Sequence, residues 1–520
     1  MTAGLEEGTR GREQSSRFEW LNRRRLFLIT MAGAVIVYSQ FQFWEHPTEK
    51  DHAIWDYFAQ VISRGGVPYR DVVDIKTPLS AYIGAAAIVI APHFGLRDII
   101  AIRLAFLLLA ILTVGFTFLV GLDFSGSRRV GLLASVIMLG VDLFGTSNSG
   151  GIQPKTSMVL FGLLTLWAIR KDKPIWAGLF GMLSALSWQP GLLFVGTGVL
   201  AFSRYLTNWR DWKVARSLVG ATVPLALLLA YFWLAGALQE FYQWGVHYNL
   251  TLYGPGGVRS ISRALGRFGE LVQRPYRQDR LYFYLAAAGI IVALFAELKR
   301  ARRRGISYLR EAAPGHAIII APSVYFFFCL ISLQGGPDLI PLLPFVGVFA
   351  AIALVLAIDQ TTQLLRRALP KPGAGALEHA SFAAVLVAVV FFSVADAFTS
   401  KRVSPTLKDQ DSAVAEITSL LKPEDKIFVH GQTEILVLSG LTNASKYVFL
   451  ERGKDTYLNT AEPGGFEGWF ERLKSERPKV VALSRLGKVK HKQDLQDWAD
   501  AEYEPRATRL FSYYVRKDDR

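Results

Sequence analysis

The sequence predicts a mainly α-helical protein that crosses a membrane many times and ends in a small α/β domain. Hydrophobic residues make up 51% of the 520 residues, charged residues only 19%, and the mean hydropathy is +0.26. Soluble proteins carry about 25% charged residues. Apolar segments of about 17–25 residues, long enough to cross ~30 Å of hydrocarbon, recur along most of the chain. A soluble globular fold is therefore excluded.

The net charge of +15 is explained by orientation in the membrane and does not require a nucleic-acid partner. Basic residues cluster in short loops between the apolar segments, as cytoplasmic loops of membrane proteins do. These loops are "SRR" at 127–129, "RKDK" at 170–173, "RDWKVAR" at 210–216, "KRARRR" at 299–304 and "LLRRALPK" at 364–371. The single cysteine, Cys329, lies inside an apolar segment, so no intrachain disulfide is predicted.

The first element is a polar tail, 1–25, which ends in "NRRR" and precedes an apolar segment at 26–44. No small-residue cleavage site follows this segment, so we interpret it as a retained membrane span and not as a signal peptide. Arg23, Arg24 and Arg25 hold its start in the cytoplasm. Residues from 45 onward therefore emerge on the outer face.

A transmembrane domain is predicted over 26–398, with about eleven spans fixed by the basic loops. The spans are 26–44, 99–122, 130–146, 156–170, 174–188, 189–204, 217–237, 281–298, 315–333, 340–358 and 379–398. The apolar piece at 78–92 is placed along the outer surface, because a further crossing would put the "SRR" loop on the wrong side. Outer loops then cover 45–98, 145–155 and 238–280.

The last span delivers residues 399–520 to the outer face, where we predict an accessory α/β domain. Strand patterns occur at 426–431, 446–450, 479–484 and 510–517. Helical patterns at 412–421 and 466–476 fall between them, which is typical of a mixed α/β domain.

The first outer loop concentrates ionisable residues directly after the first span. Its sequence is "WEHPTEKDHAIWDYFAQVISRGGVPYRDVVDIKTPLSAY". Apolar residues from Ile54 to Ile62 repeat at helical spacing, which predicts an amphipathic interfacial helix. Among its charged residues, the loop holds the following at the membrane surface: Asp51, Asp56, Asp71, Asp74, Arg64, Arg70 and Lys76. A charged rim without chemistry is the alternative interpretation.

The order of these elements resembles the first periplasmic loop of the GT-C glycosyltransferases. A span, an acidic residue, an interfacial helix, "G-x-P-Y-R-D" and "K-x-P-L" follow one another over 45–82. The resemblance is to the bacterial branch that includes the aminoarabinose transferases of lipid A and the protein O-mannosyltransferases. It implies a GT-C-like bundle, an inner-membrane location and a polyprenyl-phosphate-linked sugar as donor.

The resemblance also assigns roles to residues. Asp51, six residues before Tyr57, corresponds to the loop carboxylate that activates the acceptor, and Lys76 to the lysine that meets the donor phosphate. Here "KTPL" replaces the commoner "KPPL". Gln153-Pro154 stands where an acidic residue usually precedes the proline, which weakens the case for a metal shared between the two loops.

Elementary chemistry supports the same roles. An attacking hydroxyl must lose its proton, and a positioned carboxylate can accept it. The leaving group is a lipid phosphate, so Lys76 and Arg70 can stabilise its growing charge without a metal. If the acceptor hydroxyl displaces the phosphate directly, with Asp51 as the general base, the anomeric configuration is inverted. A covalent intermediate on Asp56 or Asp74 is the alternative.

The third outer loop adds arginines where the positive-inside rule predicts few. Arg259, Arg263 and Arg267 lie four apart on one helix face, and arginine suits bidentate phosphate recognition. Arg259 and Arg263 are therefore predicted phosphate ligands, and attraction to anionic lipid headgroups is the alternative. Further candidates for substrate contact are His52, Asp56, Tyr69, Asp74, Gln153 and Tyr253.

The predicted function is transfer of a sugar from a polyprenyl-phosphate donor to an extracytoplasmic lipid, glycan or protein. No cofactor is predicted with certainty. A divalent metal is an alternative, but the spacing of His46, Glu49, Asp51 and His52 is irregular. A transporter or flippase of a lipid-linked glycan is the rival function, although such proteins usually carry ionisable residues or broken helices at mid-membrane.

Overall fold

The computed structural model describes residues 23–252, 261–368, 374–398 and 403–517. The helices of the membrane region, in chain order, are α1 (23–39), α2 (Lys50–Ser63), α3 (Leu79–Ile90), α4 (Asp98–Ser125), α5 (Arg128–Leu139), α6 (Asp142–Ser149), α7 (Pro154–Arg170), α8 (Pro174–Ser187), α9 (Leu192–Phe202), α10 (Trp212–Leu234), α11 (Leu238–Phe241), α12 (Tyr248–Thr251), α13 (Ile261–Gln273), α14 (Arg280–Arg304), α15 (Ile306–Ser332), α16 (Leu343–Ala368) and α17 (Ala374–Phe398).

Every segment predicted as a span contains helix, but fewer helices than predicted are long enough to cross a membrane. Among the described residues, five have the required length and composition: Asp98–Ser125, Trp212–Leu234, Arg280–Arg304, Ile306–Ser332 and Gly336–Leu365. The pair α5 and α6, bent by 57°, makes a sixth if it counts as one broken span. The predicted number of eleven is larger because it also counts shorter apolar helices that are separated by breaks, among them Pro174–Ser187 and Gln189–Phe202. One such break is Gln189–Gly191, a 3₁₀ turn at the predicted "WQP" division.

Helix α2 forms where the amphipathic pattern predicts it, but it is not a surface helix. All eight residues from Ala53 to Gln60 are buried. They make up more than two helical turns, so every face of this part of the helix is buried. One flank packs on α3, a 12-residue helix, and another on the C-terminal region. The helix is therefore held between the membrane bundle and the C-terminal region. Of the charged residues of the loop, Asp56 and Asp74 are buried, whereas Asp51, Arg64, Arg70 and Asp71 are exposed.

The C-terminal region is built on a four-stranded mixed sheet in the order β1-β2-β4-β3. The strands are β1 (Ile427–His430), β2 (Val480–Leu483), β3 (Tyr503–Ala507) and β4 (Ser512–Arg516), and the helices are α18 (Leu407–Thr418), α19 (Glu434–Ser439), α20 (Lys454–Ala461), α21 (Gly465–Ser475) and α22 (Lys492–Glu502). Strands β1 and β2 are parallel, and β4 pairs antiparallel with both β2 and β3.

Three of the four predicted strands are present, and the one at 446–450 is wrong. This segment contains bends at 446 and 448, and it forms hydrogen bonds to several partners instead of one ladder. The Lys446 carbonyl accepts the Val73 N–H at 3.0 Å, and the Leu450 N–H donates to His430 Nε2 at 2.9 Å. The fourth strand is β3, whose Pro505 obscured it in the sequence, since proline is tolerated only at a sheet edge.

The C-terminal region is fastened to the first outer loop by hydrogen bonds between groups about 360–390 residues apart. The Thr48 backbone exchanges two bonds of 2.9 Å with the Gln410 amide, and the Lys50 N–H donates to Glu434 at 2.9 Å. The Arg97 guanidinium also donates two hydrogen bonds of 2.8 Å to the Asp411 carboxylate. A single hydrophobic core contains residues of α2, α3, α4, β1 and β2. The region is therefore an integral part of the fold, and not a loosely attached accessory.

Candidate active site

Asp51 lies in the first turn of α2, where the backbone turns out of an extended segment. The residue is exposed to solvent. Burial acts to raise the pKa of Asp51, but the positive charges of Lys76, Lys155 and Arg452 outweigh it and lower the pKa. Asp51 is therefore an ionised carboxylate at a point where three distant segments bring cations together.

The ammonium of Lys76 lies 4.3 Å from the centre of the Trp55 ring. The backbone around it is held from three directions. The Tyr69 hydroxyl donates to the Lys76 carbonyl at 2.6 Å, and the Ile75 carbonyl accepts bonds of 2.7 Å from the side-chain amides of Gln189 and Asn249. These three hydrogen bonds fix the backbone from which the Lys76 side chain extends. A preorganised positive charge requires a fixed backbone of this kind.

Asp74 and Tyr69, both predicted substrate ligands, support Lys76 instead. The buried carboxylate of Asp74 accepts the Trp55 indole N–H at 3.1 Å, which orients the ring beneath the ammonium. Tyr69 is fully buried and its hydroxyl is used on the Lys76 carbonyl. Both residues thus position the aromatic face and the backbone on which the cation depends.

Lys155, at the start of α7, is a site residue that was not predicted from the sequence. Its ammonium pairs with Asp338 at 3.2 Å and lies 4.8 Å from the centre of the Trp188 ring. The only signal in the sequence is a lysine directly after Gln153-Pro154 in the second outer loop. Gln153 itself is buried, and its side-chain oxygen accepts the Lys155 N–H at 3.5 Å, so it caps α7.

Asp56 and His52 bind the backbone of the second outer loop. Asp56 accepts the Ile152 N–H at 3.0 Å and the Thr48 hydroxyl at 3.3 Å. Nδ1 of His52 donates to the Ile152 carbonyl at 2.9 Å. Burial raises the pKa of Asp56 to about 7 and lowers that of His52 to about 4. These two residues hold the segment that leads to Lys155.

Gly151 is the tightest point of this junction, and its substitution by alanine is expected to destabilise the fold. Its φ is +146°, and an added Cβ would lie 2.5 Å from an oxygen of Asp56. Backbone strain of this kind costs about 1–3 kcal/mol. We expect Gly151→Ala to lower the Tm of detergent-solubilised protein.

Gly196 provides the matched control, since nothing lies within 4 Å of the position that an added Cβ would take in α9. There Gly→Ala should be neutral or stabilising by up to about 1 kcal/mol, because alanine favours helix. Equal Tm values for the two variants would contradict the proposed close packing of Gly151 on Asp56.

Three arginines were predicted to bind the donor phosphate, and the structure does not place all of them at this site. Arg70 pairs with Asp71 at 3.0 Å and donates to the Ala235 carbonyl at 2.9 Å. Arg263 is exposed on α13. Tyr253 and Arg259 lie outside the described residues. On the same helix, Arg267 contacts the Gln334 carbonyl at 3.2 Å, which connects α13 to the segment that borders the site.

The C-terminal region contributes Arg452 and Lys454, which were also not predicted from the sequence. The Arg452 guanidinium donates to the side chain of Gln334, and its carbonyl accepts the Tyr248 hydroxyl at 2.7 Å. Lys454 is 3% exposed at the start of α20, with its ammonium 4.8 Å from the centre of the Phe449 ring. Burial, together with Lys76 and Arg452, lowers the pKa of Lys454 to about 8.

The residues suspected of binding a metal are engaged separately. Nδ1 of His46 contacts the Pro47 carbonyl at 3.0 Å, whereas His52 binds Ile152. Within the part of the chain that the structure describes, no three His, Cys, Asp or Glu side chains are grouped as metal ligands.

Comparison with solved structures shows that this chain has the GT-C fold, a helical membrane bundle followed here by a C-terminal region with a mixed sheet. ArnT from Cupriavidus metallidurans superposes over 96% of this chain and 98% of its own in the apo state, with a TM-score of 0.56 and 14% identity. Its complex with undecaprenyl phosphate gives a TM-score of 0.54 at 13% identity, covering 94% and 97%.

The oligosaccharyltransferase of Archaeoglobus fulgidus, tethered to an acceptor peptide, has the same fold. Its TM-score is 0.54 at 12% identity, over 94% of this chain and 74% of its own. In sequence, a dolichol phosphate-mannose mannosyltransferase of Haloferax volcanii is 25% identical over 195 residues. That match covers 37% of this chain and 41% of the relative, so it spans less than half of either protein. No family model matches the sequence.

Proposed function

We propose that this chain is a membrane glycosyltransferase that moves a sugar from a polyprenyl-phosphate donor to an acceptor outside the cytoplasm. The observation that carries the proposal is the accessible carboxylate of Asp51 among the charges of Lys76, Lys155 and Arg452. An anion-binding site that also holds an ionised carboxylate has both parts that displacement of a phosphate from a sugar requires.

In this mechanism Asp51 accepts the proton of the acceptor hydroxyl as its oxygen attacks the anomeric carbon. The bond from that carbon to the phosphate oxygen breaks, and its electron pair stays on the phosphate. Lys76 and Lys155 stabilise the additional negative charge. The displacement inverts the anomeric configuration. Asp56 and Asp74 have buried hydrogen-bonding roles, which supports Asp51 as base over a covalent intermediate on either residue.

An apolar cavity between the spans is suited to the isoprenoid tail of the donor. It has a volume of about 430 Å³ and is lined by side chains of α13, α14, α15 and α16, among them Phe268, Phe283 and Phe326. Helix α13 also carries Arg267, which contacts Gln334 beside the site. Because ArnT was solved with undecaprenyl phosphate, we propose the same class of lipid for this chain.

The donor lies on the extracytoplasmic side in this proposal, with the N-terminus in the cytoplasm and eleven crossings. Basic loops at the opposite ends of the spans support that orientation. A bacterial inner membrane remains the predicted location, although the mannosyltransferase that is similar in sequence is archaeal. The acceptor is proposed only as an extracytoplasmic lipid, glycan or protein.

The decisive experiment incubates the purified chain with a panel of polyprenyl-phosphate sugars and extracts of candidate acceptors. We expect release of polyprenyl phosphate that depends on both donor and acceptor. Reconstituted vesicles that translocate a labelled lipid-linked glycan, without any release of lipid phosphate, would contradict the proposal and favour the transporter alternative.

A further inference from the structure

The turn at 451–454 brings two cations of the C-terminal region to the site of the first outer loop. The charges of Asp74, Lys76, Arg452 and Asp51 all act on Lys454, and Arg452 acts on Asp51. The turn is fixed from the membrane bundle, because Tyr248 donates to the Arg452 carbonyl and the Arg452 guanidinium donates to Gln334. Its position is therefore part of the folded structure.

A buried lysine at this place requires an explanation. Removing an ammonium from water is costly unless an anion or polar groups replace the solvent. The Phe449 ring offsets only part of that cost, since cation–π contacts contribute about 0.5–2 kcal/mol. In the cluster of described residues, the cations Lys76, Lys155, Arg452 and Lys454 face the carboxylates Asp51, Asp74 and Asp338, which leaves one positive charge. A bound anion would balance it.

We propose that Lys454, together with Arg452, binds the phosphate of the lipid donor, so that the C-terminal region supplies one half of the phosphate subsite and Lys76 with Lys155 the other. This inference rests on the proposed function. The donor is a phosphodiester with one negative charge, and the product is a monoester with about two near neutral pH. Lys454 stays protonated throughout, and Asp51 takes the proton from the acceptor. A dense cation set therefore favours the product-like charge of the transition state.

The pKa of Lys454, about 8, makes this role measurable. The protonated amine binds the anion, so affinity for lipid phosphate should fall as pH rises above 8. The charged and titratable groups that face Lys454 are Asp51, Asp74, Lys76, His430 and Arg452. Of these, His430 is already neutral, because burial lowers its pKa to about 4, and Asp51 is already ionised.

The experiment measures affinity for undecaprenyl phosphate between pH 6.5 and 9.5 in wild type, Lys454→Met and Lys454→Arg. We expect wild-type affinity to decline by roughly tenfold for each pH unit above 8. Lys454→Met should bind about 10–100-fold more weakly at pH 7 and lose this decline. Lys454→Arg should bind at pH 9.5 as it does at pH 7, because arginine remains charged.

Two controls separate the ways in which this test can fail. Undecaprenol, which lacks the phosphate, should bind wild type and Lys454→Met equally, and a loss equal to that of the lipid phosphate would overturn the assignment as general structural damage. Wild-type affinity and pH profile in Lys454→Met would overturn this inference alone. Absence of any wild-type binding to undecaprenyl phosphate would overturn the proposed function and this inference together.

Discussion

Asp51→Asn is expected to reduce turnover by about 10²–10⁴-fold, the usual contribution of a positioned general base. Affinity for undecaprenyl phosphate should be equal to or higher than that of wild type, because the change removes a negative charge from a site that binds an anion. The measurement pairs a single-turnover assay of lipid phosphate release with a binding titration. Together they separate loss of chemistry from loss of the site.

Asp71 provides a matched control for this variant. It lies in the same loop, is exposed, and its carboxylate contacts Arg70 and the Val67 N–H. Asp71→Asn should therefore retain turnover within a few-fold of wild type. Turnover near the wild-type rate in Asp51→Asn would show that this carboxylate is not the base. Loss of lipid phosphate binding in Asp51→Asn would indicate that Asp51 has a structural role.

Lys76→Met is the second change with a large expected effect, a loss of about 10²–10³-fold in turnover. The lysine is placed by Trp55 and by the bonds to the Ile75 and Lys76 carbonyls, so methionine removes the charge and keeps most of the packing. Because the negative charge on the phosphate grows during the reaction, turnover should suffer more than donor affinity. Steady-state kinetics that resolve kcat from KM would measure this difference.

Lys408 serves as the matched lysine, since it is exposed on α18 in the same C-terminal region that covers the site. Lys408→Met should leave kcat and KM unchanged. If Lys76→Met raised KM alone, the lysine would hold the donor without stabilising the transition state. If Lys76→Met had wild-type kinetics, the phosphate assignment of Lys76 would be wrong.

The sequence determined the features that depend on neighbours along the chain. The length of the apolar runs located the helical segments. The order of motifs in 45–82 singled out Asp51, which lies in the first turn of α2, and Lys76, which lies shortly before α3. The periodic apolar residues of α2 also predicted its helix correctly. The helix predictions succeed because helix formation is a local property, whereas the roles of Asp51 and Lys76 remain predictions.

Only the tertiary structure decided which side chains meet at the site. Lys155 and Arg452 lie about 100 and 400 residues from Asp51 in sequence, yet their charges act on it directly. Conversely, Asp56 and Arg70 resembled site residues in the loop but are used on the Ile152 backbone and on Asp71. These contacts depend on the packing of the C-terminal region on α2, chiefly through α19. No local sequence pattern predicts the contact between α2 and the C-terminal region, because burial of a hydrophobic core shared between distant segments stabilises it.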